Sequence, residues 1–236
     1  MAIKIGITER GDAGLDFSWM TKAKGYDGII LITKHLSHLF IEEANKINCI
    51  VHATITGLGG TIYEPNVPTL IMSKIYFDLL VKTLGPERVV LRIDPIIPDD
   101  SGAAKAINVY EQIHIKGGKR TRVRISFMDN YPHVKERFIA AGLKPLDYNF
   151  HAPIELRKKI SSYFPDTEIC GEPGFECIGC ISTKDLKILN IDAPPLEGYD
   201  RIKAVQRPEC RCLIYKTEMF KNKSRCQHQC LYCYWK

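Results

Sequence analysis

The alternation of short apolar runs with segments of helical periodicity constrains this chain more than any other feature. Runs at 3–7 (I-K-I-G-I), 28–33 (G-I-I-L-I-T), 49–54 (C-I-V-H-A-T), 88–94 (R-V-V-L-R-I-D), 121–127 (T-R-V-R-I-S-F) and 166–170 (D-T-E-I-C) read as strands. Most are apolar nearly throughout, as strands covered on both faces must be. Between them, apolar residues recur at helical spacing near 17–24, 36–47, 68–84, 102–114, 133–142 and 152–163. Strand, helix and strand in repeated succession predict an α/β fold with a parallel sheet and crossover helices. The expected architecture is a full or partial (β/α) TIM-type barrel, with a doubly wound open sheet as the alternative.

Polar residues follow these strands. Thr8, Glu9 and Arg10 close the first and Thr33 and Lys34 the second. His52 and Thr54 end the third, Arg92 and Asp94 the fourth, Ser126 and Asp129 the fifth, and Glu172 follows the sixth. In a parallel barrel such positions gather on the C-terminal rim, where these folds build their sites. Polar residues also begin ordinary solvent-facing loops, but this many in succession, several of them charged, favour a site. The loop T-G-L-G-G-T-I-Y-E-P-N-V-P (56–68) is long and rich in Gly and Pro, in the manner of a ligand-binding loop. Its G-x-G-G portion is too loose to count as a phosphate loop.

Hydrophobic residues at 45% and charged residues at 25% suit a globular protein of 236 residues with a sizeable core. No apolar run approaches the roughly 20 residues that span a bilayer, and M-A-I-K-I-G-I-T-E-R-G-D lacks the profile of a signal peptide. The expectation is a cytoplasmic protein without a membrane partner. A net charge of +6 permits an anionic partner without requiring one. Two basic stretches, 116–124 (K-G-G-K-R-T-R-V-R) and 216–225 (K-T-E-M-F-K-N-K-S-R), are either solvated loop ends or a surface for anions.

Cysteine placement is far from even. Of nine, Cys49 stands alone in an apolar run and reads as a buried small hydrophobe, while the other eight lie between Cys170 and Cys233. In a reducing compartment such clustering points to metal rather than disulfides. Cys226, Cys230 and Cys233 form C-x3-C-x2-C within R-C-Q-H-Q-C-L-Y-C-Y-W. A structural zinc needs four ligands, and although His228 stands between the first two cysteines, its one-residue gaps constrain tetrahedral chelation. Three thiolates suit instead a cubane that keeps one iron free of protein. Cys170, Cys177, Cys180, Cys210 and Cys212 exceed the four needed for a second site.

The run C226-Q-H-Q-C230-L-Y-C233, with Tyr232 as the aromatic before the third cysteine, resembles the C-x3-C-x-aromatic-C signature of the radical S-adenosylmethionine superfamily. There the motif follows the first barrel strand, whereas here it stands at the C-terminus. A circular permutation reconciles the two, because barrel termini lie close together. The chain resembles a largely uncharacterised family of such permuted proteins along 27–34, 64–68, 85–97, 125–129, the segments around Cys170 and Cys180, and 206–212.

The resemblance implies that Cys226, Cys230 and Cys233 hold a [4Fe–4S] cluster with an open iron that chelates S-adenosylmethionine. Reductive cleavage would give a 5′-deoxyadenosyl radical that takes hydrogen from substrate. A reducing partner such as flavodoxin or ferredoxin is implied with it. Glu9, Asp94 and Asp129 are candidates for the cofactor's ribose or amino group, Lys34 and Arg92 for its carboxylate, and Ser126 and Tyr232 complete the cofactor-binding set. Cys170, Cys180, Cys210 and Cys212 fall in segments resembling the family pattern and are expected to hold an auxiliary iron–sulfur cluster, with zinc as the alternative there. Residues 1–165 are expected to form the permuted barrel core. Residues 166–236 are expected to form an irregular Cys-rich cap within the same structural domain. The expected reaction is rearrangement of an amino-acid-modified thymidine in DNA, which a duplex would have to flip out. The alternatives are a lyase that repairs a thymine lesion and a non-catalytic iron–sulfur or zinc protein that binds nucleic acid.

Overall fold

The computed structural model describes residues 3–194, 209–221 and 224–236. All the expected strands form, with small differences at their ends: β1 (Ile5–Ile7), β2 (Gly28–Thr33), β3 (Cys49–Thr54), β4 (Val89–Ile96), β5 (Arg122–Phe127) and β6 (Glu168–Ile169). A seventh, β7 (Lys216–Glu218), joins them. The sheet runs β6-β5-β4-β3-β2-β1-β7 with every neighbouring pair parallel. It curls into a half-barrel flanked by helices, the partial form of the expected architecture. Among the described residues no pairing joins β6 to β7.

The two faces of the sheet explain the unbroken apolar runs. On the outer face Ile29, Leu31, Val51, Leu91, Ile93, Val123 and Ile125 pack in one cluster with buried residues of the crossover helices, including Phe40, Phe77 and Leu80. Those helices are α1 (Trp19–Lys22), α2 (His38–Asn45), α3 (Leu70–Leu84), α4 (Asp100–Val109), α5 (Pro132–Ala140) and α6 (Ile154–Ser161). On the inner face Ile5, Ile7, Ile30, Ile32, Ile50 and Val90 pack on Cys180, Ile181, Leu186, Leu189, Cys212 and Leu213. Each such aliphatic side chain contributes about 1.5–3 kcal/mol on full burial, which favours the nearly unbroken apolar runs of β1, β2 and β3. Cys49 is buried as expected, its thiol pushed up to about 11 by burial against the opposing pull of Arg88.

Helix starts follow local chemistry. Ser37 caps α2 by accepting from the Phe40 amide at 3.2 Å, and Asp99 caps α4 by accepting from the Gly102 amide at 2.6 Å. Beyond α4 the chain continues as a π-helical segment, Tyr110–Ile115. Among the described residues no helix is long and apolar enough to cross a membrane.

Two expectations change. The Cys-rich segment is not wholly irregular: it supplies β6, β7 and α7 (Thr183–Ile188), whose capping box pairs Ser182 with Asp185. The basic stretch 116–124 is not a uniformly solvated loop end. Arg122 and Arg124 are inner-face residues of β5, and Arg124 is fully buried. Arg124 donates to Glu168 at 2.5 Å, and Arg122 to Asp185 at 2.5 Å. In the second stretch Lys216 pairs with Glu9 at 2.6 Å, while Asn222 and Lys223 lie outside the described residues. Residues 206–208 of the 206–212 segment also lie outside them.

Candidate functional site

Strand β7 delivers the chain to the C-terminal ends of the other strands, and the loop after it is anchored by backbone and side-chain bonds. The Leu231 amide donates to Tyr63 O at 3.0 Å, and Asn66 Nδ2 to Gln227 O at 2.8 Å. From α5, Arg137 donates to the Cys233 and Trp235 carbonyls at 2.6 and 2.7 Å. Cys230 and Tyr232 are buried with Leu58, Val67, Ile97, Met128, Val134 and Phe138. The loop thus packs on segments that follow β3, β4 and β5.

Two buried carboxylates hold this loop from the rim. Asp12, after β1, faces His228 Nε2 at 2.9 Å and accepts from Thr33 Oγ1 and the Lys34 amide, each at 2.6 Å. His228 Nδ1 lies 3.2 Å from Asn66 O. Both ring nitrogens thus face protein acceptors, a carboxylate on one side and a carbonyl on the other, which commits the imidazole to holding the loop. Burial opposes the charge of Asp12, but His228, Thr33 and the Lys34 amide outweigh it and hold the carboxyl below its usual range.

Glu64, in the 56–68 loop, is the second carboxylate. It accepts from Lys34 Nζ at 2.8 Å, from Thr56 Oγ1 at 2.7 Å and from the Tyr232 hydroxyl. Burial opposes its ionisation too, and the Lys34 charge with these hydrogen bonds overrides that, so its carboxyl is also lowered. Neither Asp12 nor Glu64 was among the expected site residues. Glu64 stands in the Gly- and Pro-rich loop 56–68 and opens the 64–68 segment of the family resemblance, whereas Asp12 has no signal beyond following a strand.

The three thiols of the loop occupy separate settings. Cys230 is buried, and burial pushes its thiol up to about 12 against the pull of Lys34. Burial also raises Cys226 and Cys233, both half-buried. Thiols so raised keep their protons until a metal displaces them. Three cysteines on one loop, with the neighbouring histidine already committed, are a donor set that fits an iron–sulfur cubane with one iron left open.

Of the expected cofactor-binding residues, most gather here and are ion-paired. Lys34 bonds Glu64 and donates to Asp94 O at 3.3 Å, and Arg92 pairs with Asp94. Glu9 pairs with Lys216, and its carbonyl accepts from Tyr234 at 3.3 Å. Tyr232 is fixed by Glu64. Ser126 is buried within β5, and buried Asp129 meets His151 Nδ1 at 2.9 Å.

The other cysteines divide. Cys170 Sγ lies 3.7 Å from Cys180 Sγ, and Cys210 Sγ lies 3.2 Å from Cys212 Sγ. The Cys180 amide donates to Cys212 Sγ at 3.2 Å, which joins the two pairs. Gly179 permits this approach, since a Cβ there would stand 2.4 Å from Arg211 O and Cys212 N. Hydrogen bonds from Cys170 and Cys212, with nearby Arg124 and Arg92, pull the Cys180 thiol well down despite its burial. Cys177 stands apart, exchanging hydrogen bonds with the Glu172 backbone. Among the described residues no three or more His, Cys, Asp or Glu side chains already frame a metal position.

A family model described as a domain of unknown function, DUF1848, matches residues 18–235. The chain belongs to the DUF1848 family. All nine cysteines, Glu64 and His228 fall inside the matched span of this DUF1848 chain, whereas β1, Glu9 and Asp12 precede it. No curated protein matches the chain.

Proposed function

We propose that this DUF1848 protein is a radical S-adenosylmethionine enzyme whose cluster is held by Cys226, Cys230 and Cys233. The observation that carries this reading is topological. The C-x3-C-x2-C loop follows β7, and β7 pairs in parallel with β1 through Ile5↔Lys216 and Ile7↔Glu218. In space, therefore, the motif-bearing strand precedes β1, the order expected of a permuted first strand. The loop offers three thiols, and its histidine is taken by Asp12 and Asn66.

When bound, the cluster with its cofactor supplies reductive cleavage of the sulfonium and a carbon-centred radical that takes hydrogen from substrate. The chain's own residues position and shield. Asp12 and Asn66 fix His228, and through it the segment between Cys226 and Cys230. Glu64 holds Tyr232 beside Cys233 and neutralises Lys34 next to Cys230. The Arg92–Asp94 and Glu9–Lys216 pairs line the rim as charged groups able to exchange partners with a zwitterionic amino acid.

The proposed reaction is rearrangement of an amino-acid-modified thymidine in DNA. The last two arginines of the 116–124 stretch are spent on Glu168 and Asp185, and Lys216 on Glu9. The deciding experiment concerns the cofactor. Anaerobically reconstituted and reduced protein, given S-adenosylmethionine, is expected to form 5′-deoxyadenosine, measured by mass spectrometry. Changing Cys226, Cys230 and Cys233 to Ala should abolish it. A loaded cluster that gives no cleavage under strong reductant overturns the reading.

A further inference from the structure

The four thiols under the inner face of the sheet carry a conclusion about metal nuclearity. Ligands around one ion with metal–sulfur bonds of about 2.3 Å stand roughly 3.8 Å apart in a tetrahedron. A cubane places each thiolate on its own iron corner and so sets the sulfurs wider apart than one ion does. Cys170 and Cys180 are 3.7 Å apart, Cys210 and Cys212 are 3.2 Å apart, and the two pairs are joined at Cys180 and Cys212. Sulfurs this close match the spacing around one ion better than the wider spacing around a cubane. In the C-terminal loop, by contrast, Cys226, Cys230 and Cys233 influence one another through charge, and among the described residues no hydrogen bond joins their sulfurs.

The surroundings suit an anionic metal centre. Four thiolates on a divalent ion retain two negative charges. Arg92 and Arg124 stand within electrostatic reach of Cys170 and Cys180, and Lys216 of Cys180 and Cys212. Arg92 Nε, Arg124 Nη1 and both ring nitrogens of fully buried His52 have no hydrogen-bond partner among the described residues. Deeply buried donors, here the two arginine nitrogens and the one N–H that the His52 ring carries, require acceptors, and metal-bound thiolates accept hydrogen bonds, as Cys212 Sγ already does from the Cys180 amide.

We propose that Cys170, Cys180, Cys210 and Cys212 bind a single divalent ion in tetrahedral thiolate coordination, the set that suits zinc, and not an iron–sulfur cluster. The 3.2 Å contact is shorter than that tetrahedron's edge, so Cys210 and Cys212 part slightly as the ion enters. A closed four-thiol set has no open position, and its role is to tie three segments together. Cys170 follows β6, Cys180 precedes α7, and Cys210 and Cys212 lead into β7. The ion thereby fixes the approach to the strand that delivers the C-terminal cysteines. This inference stands apart from the radical reading, because its ligands are different residues.

The test uses full-length protein with Cys226, Cys230 and Cys233 all changed to Ala, prepared anaerobically. Elemental analysis with an acid-labile sulfide assay is expected to find a single zinc or iron ion per chain and no sulfide. Cobalt substitution should give thiolate charge-transfer absorption, and adding Cys210→Ser, at a half-buried position, should abolish metal retention while circular dichroism stays unchanged. Zinc-edge X-ray absorption on the wild-type protein gives a second readout, with four sulfurs at about 2.3 Å expected. Several irons with labile sulfide in the triple variant overturn the proposal, as does a folded protein that retains no metal and gives no cobalt–thiolate bands.

Discussion

His228 Nε2 meets Asp12 Oδ2 at 2.9 Å, both side chains buried, across 216 residues of sequence. This contact joins the end of β1 to the middle of the C-x3-C-x2-C loop. Leaving a buried hydrogen-bonding group without its partner typically costs about 1–3 kcal/mol, and more where the group is charged. Asp12→Ala should therefore lower stability in urea unfolding by an amount of that order and speed the reaction of the loop's thiols with a thiol reagent. His228→Gln keeps a donor and should be milder. If His228 were instead a metal ligand, its replacement would strip the metal while leaving the thermal stability of metal-free protein unchanged.

Glu64 gathers Lys34, Thr56 and Tyr232, so its variants should rank by what each leaves unpaired. Tyr232→Phe removes one hydrogen bond and should cost about 1 kcal/mol. Glu64→Gln strands the Lys34 ammonium and should cost on the order of 3 kcal/mol. Denaturation of the two single variants and the double variant should show strong coupling, since all act on one network. Additive losses would mean that Tyr232 and Glu64 do not share a bond.

Glu218 in β7 has its carboxyl raised to about 7, chiefly by burial, with the charge of Glu9 adding to it against three backbone hydrogen bonds. The unfolded value is about 4.3. The folded protein holds this proton more tightly, so the contribution of Glu218 to stability falls as pH rises between those values and is level above them. Glu218→Gln should remove that slope. Wild type should lose on the order of 1–2 kcal/mol relative to the variant between about pH 5 and pH 8. Parallel unfolding curves at the two pH values, with no relative change, would contradict the assignment.

Gly179 lets the 177–180 segment pass against 210–212, where an added Cβ would meet backbone at 2.4 Å. Gly179→Ala should force the segments apart and cost roughly 1–3 kcal/mol, as overpacking does. Cys180 and Cys212 are both nearly inaccessible in the native protein. Thiol titration of the metal-free protein should show them reacting faster in the variant. Unchanged rates would mean that the approach is looser than the structure has it.

Much of the fold was legible because strands covered on both faces must be apolar throughout. β2 and β3 matched their expected ends, and β4 and β5 differed slightly. β7 was not legible: K-T-E is polar, three residues long, and paired on one side to β1. Its strand conformation comes from that neighbour, not from any local preference. Arg122 and Arg124 belong both to the expected strand 121–127 and to the basic stretch 116–124, and the alternation R-V-R-I-S-F places Arg122, Arg124 and Ser126 on one face. Their burial depends on Glu168 and Asp185, which arrive from β6 and α7.

By itself the sequence determined the parallel α/β class, the rim positions and two sets of cysteines, since periodicity and thiol spacing are local properties. Tertiary structure decided that β7 lies beside β1 and that Asp12 and Glu64 clamp the cysteine loop. It also set Cys170, Cys180, Cys210 and Cys212 in contact while Cys177 stands apart. Those outcomes rest on pairings between segments far apart in the chain. Only a folded backbone brings such donors and acceptors within bonding distance.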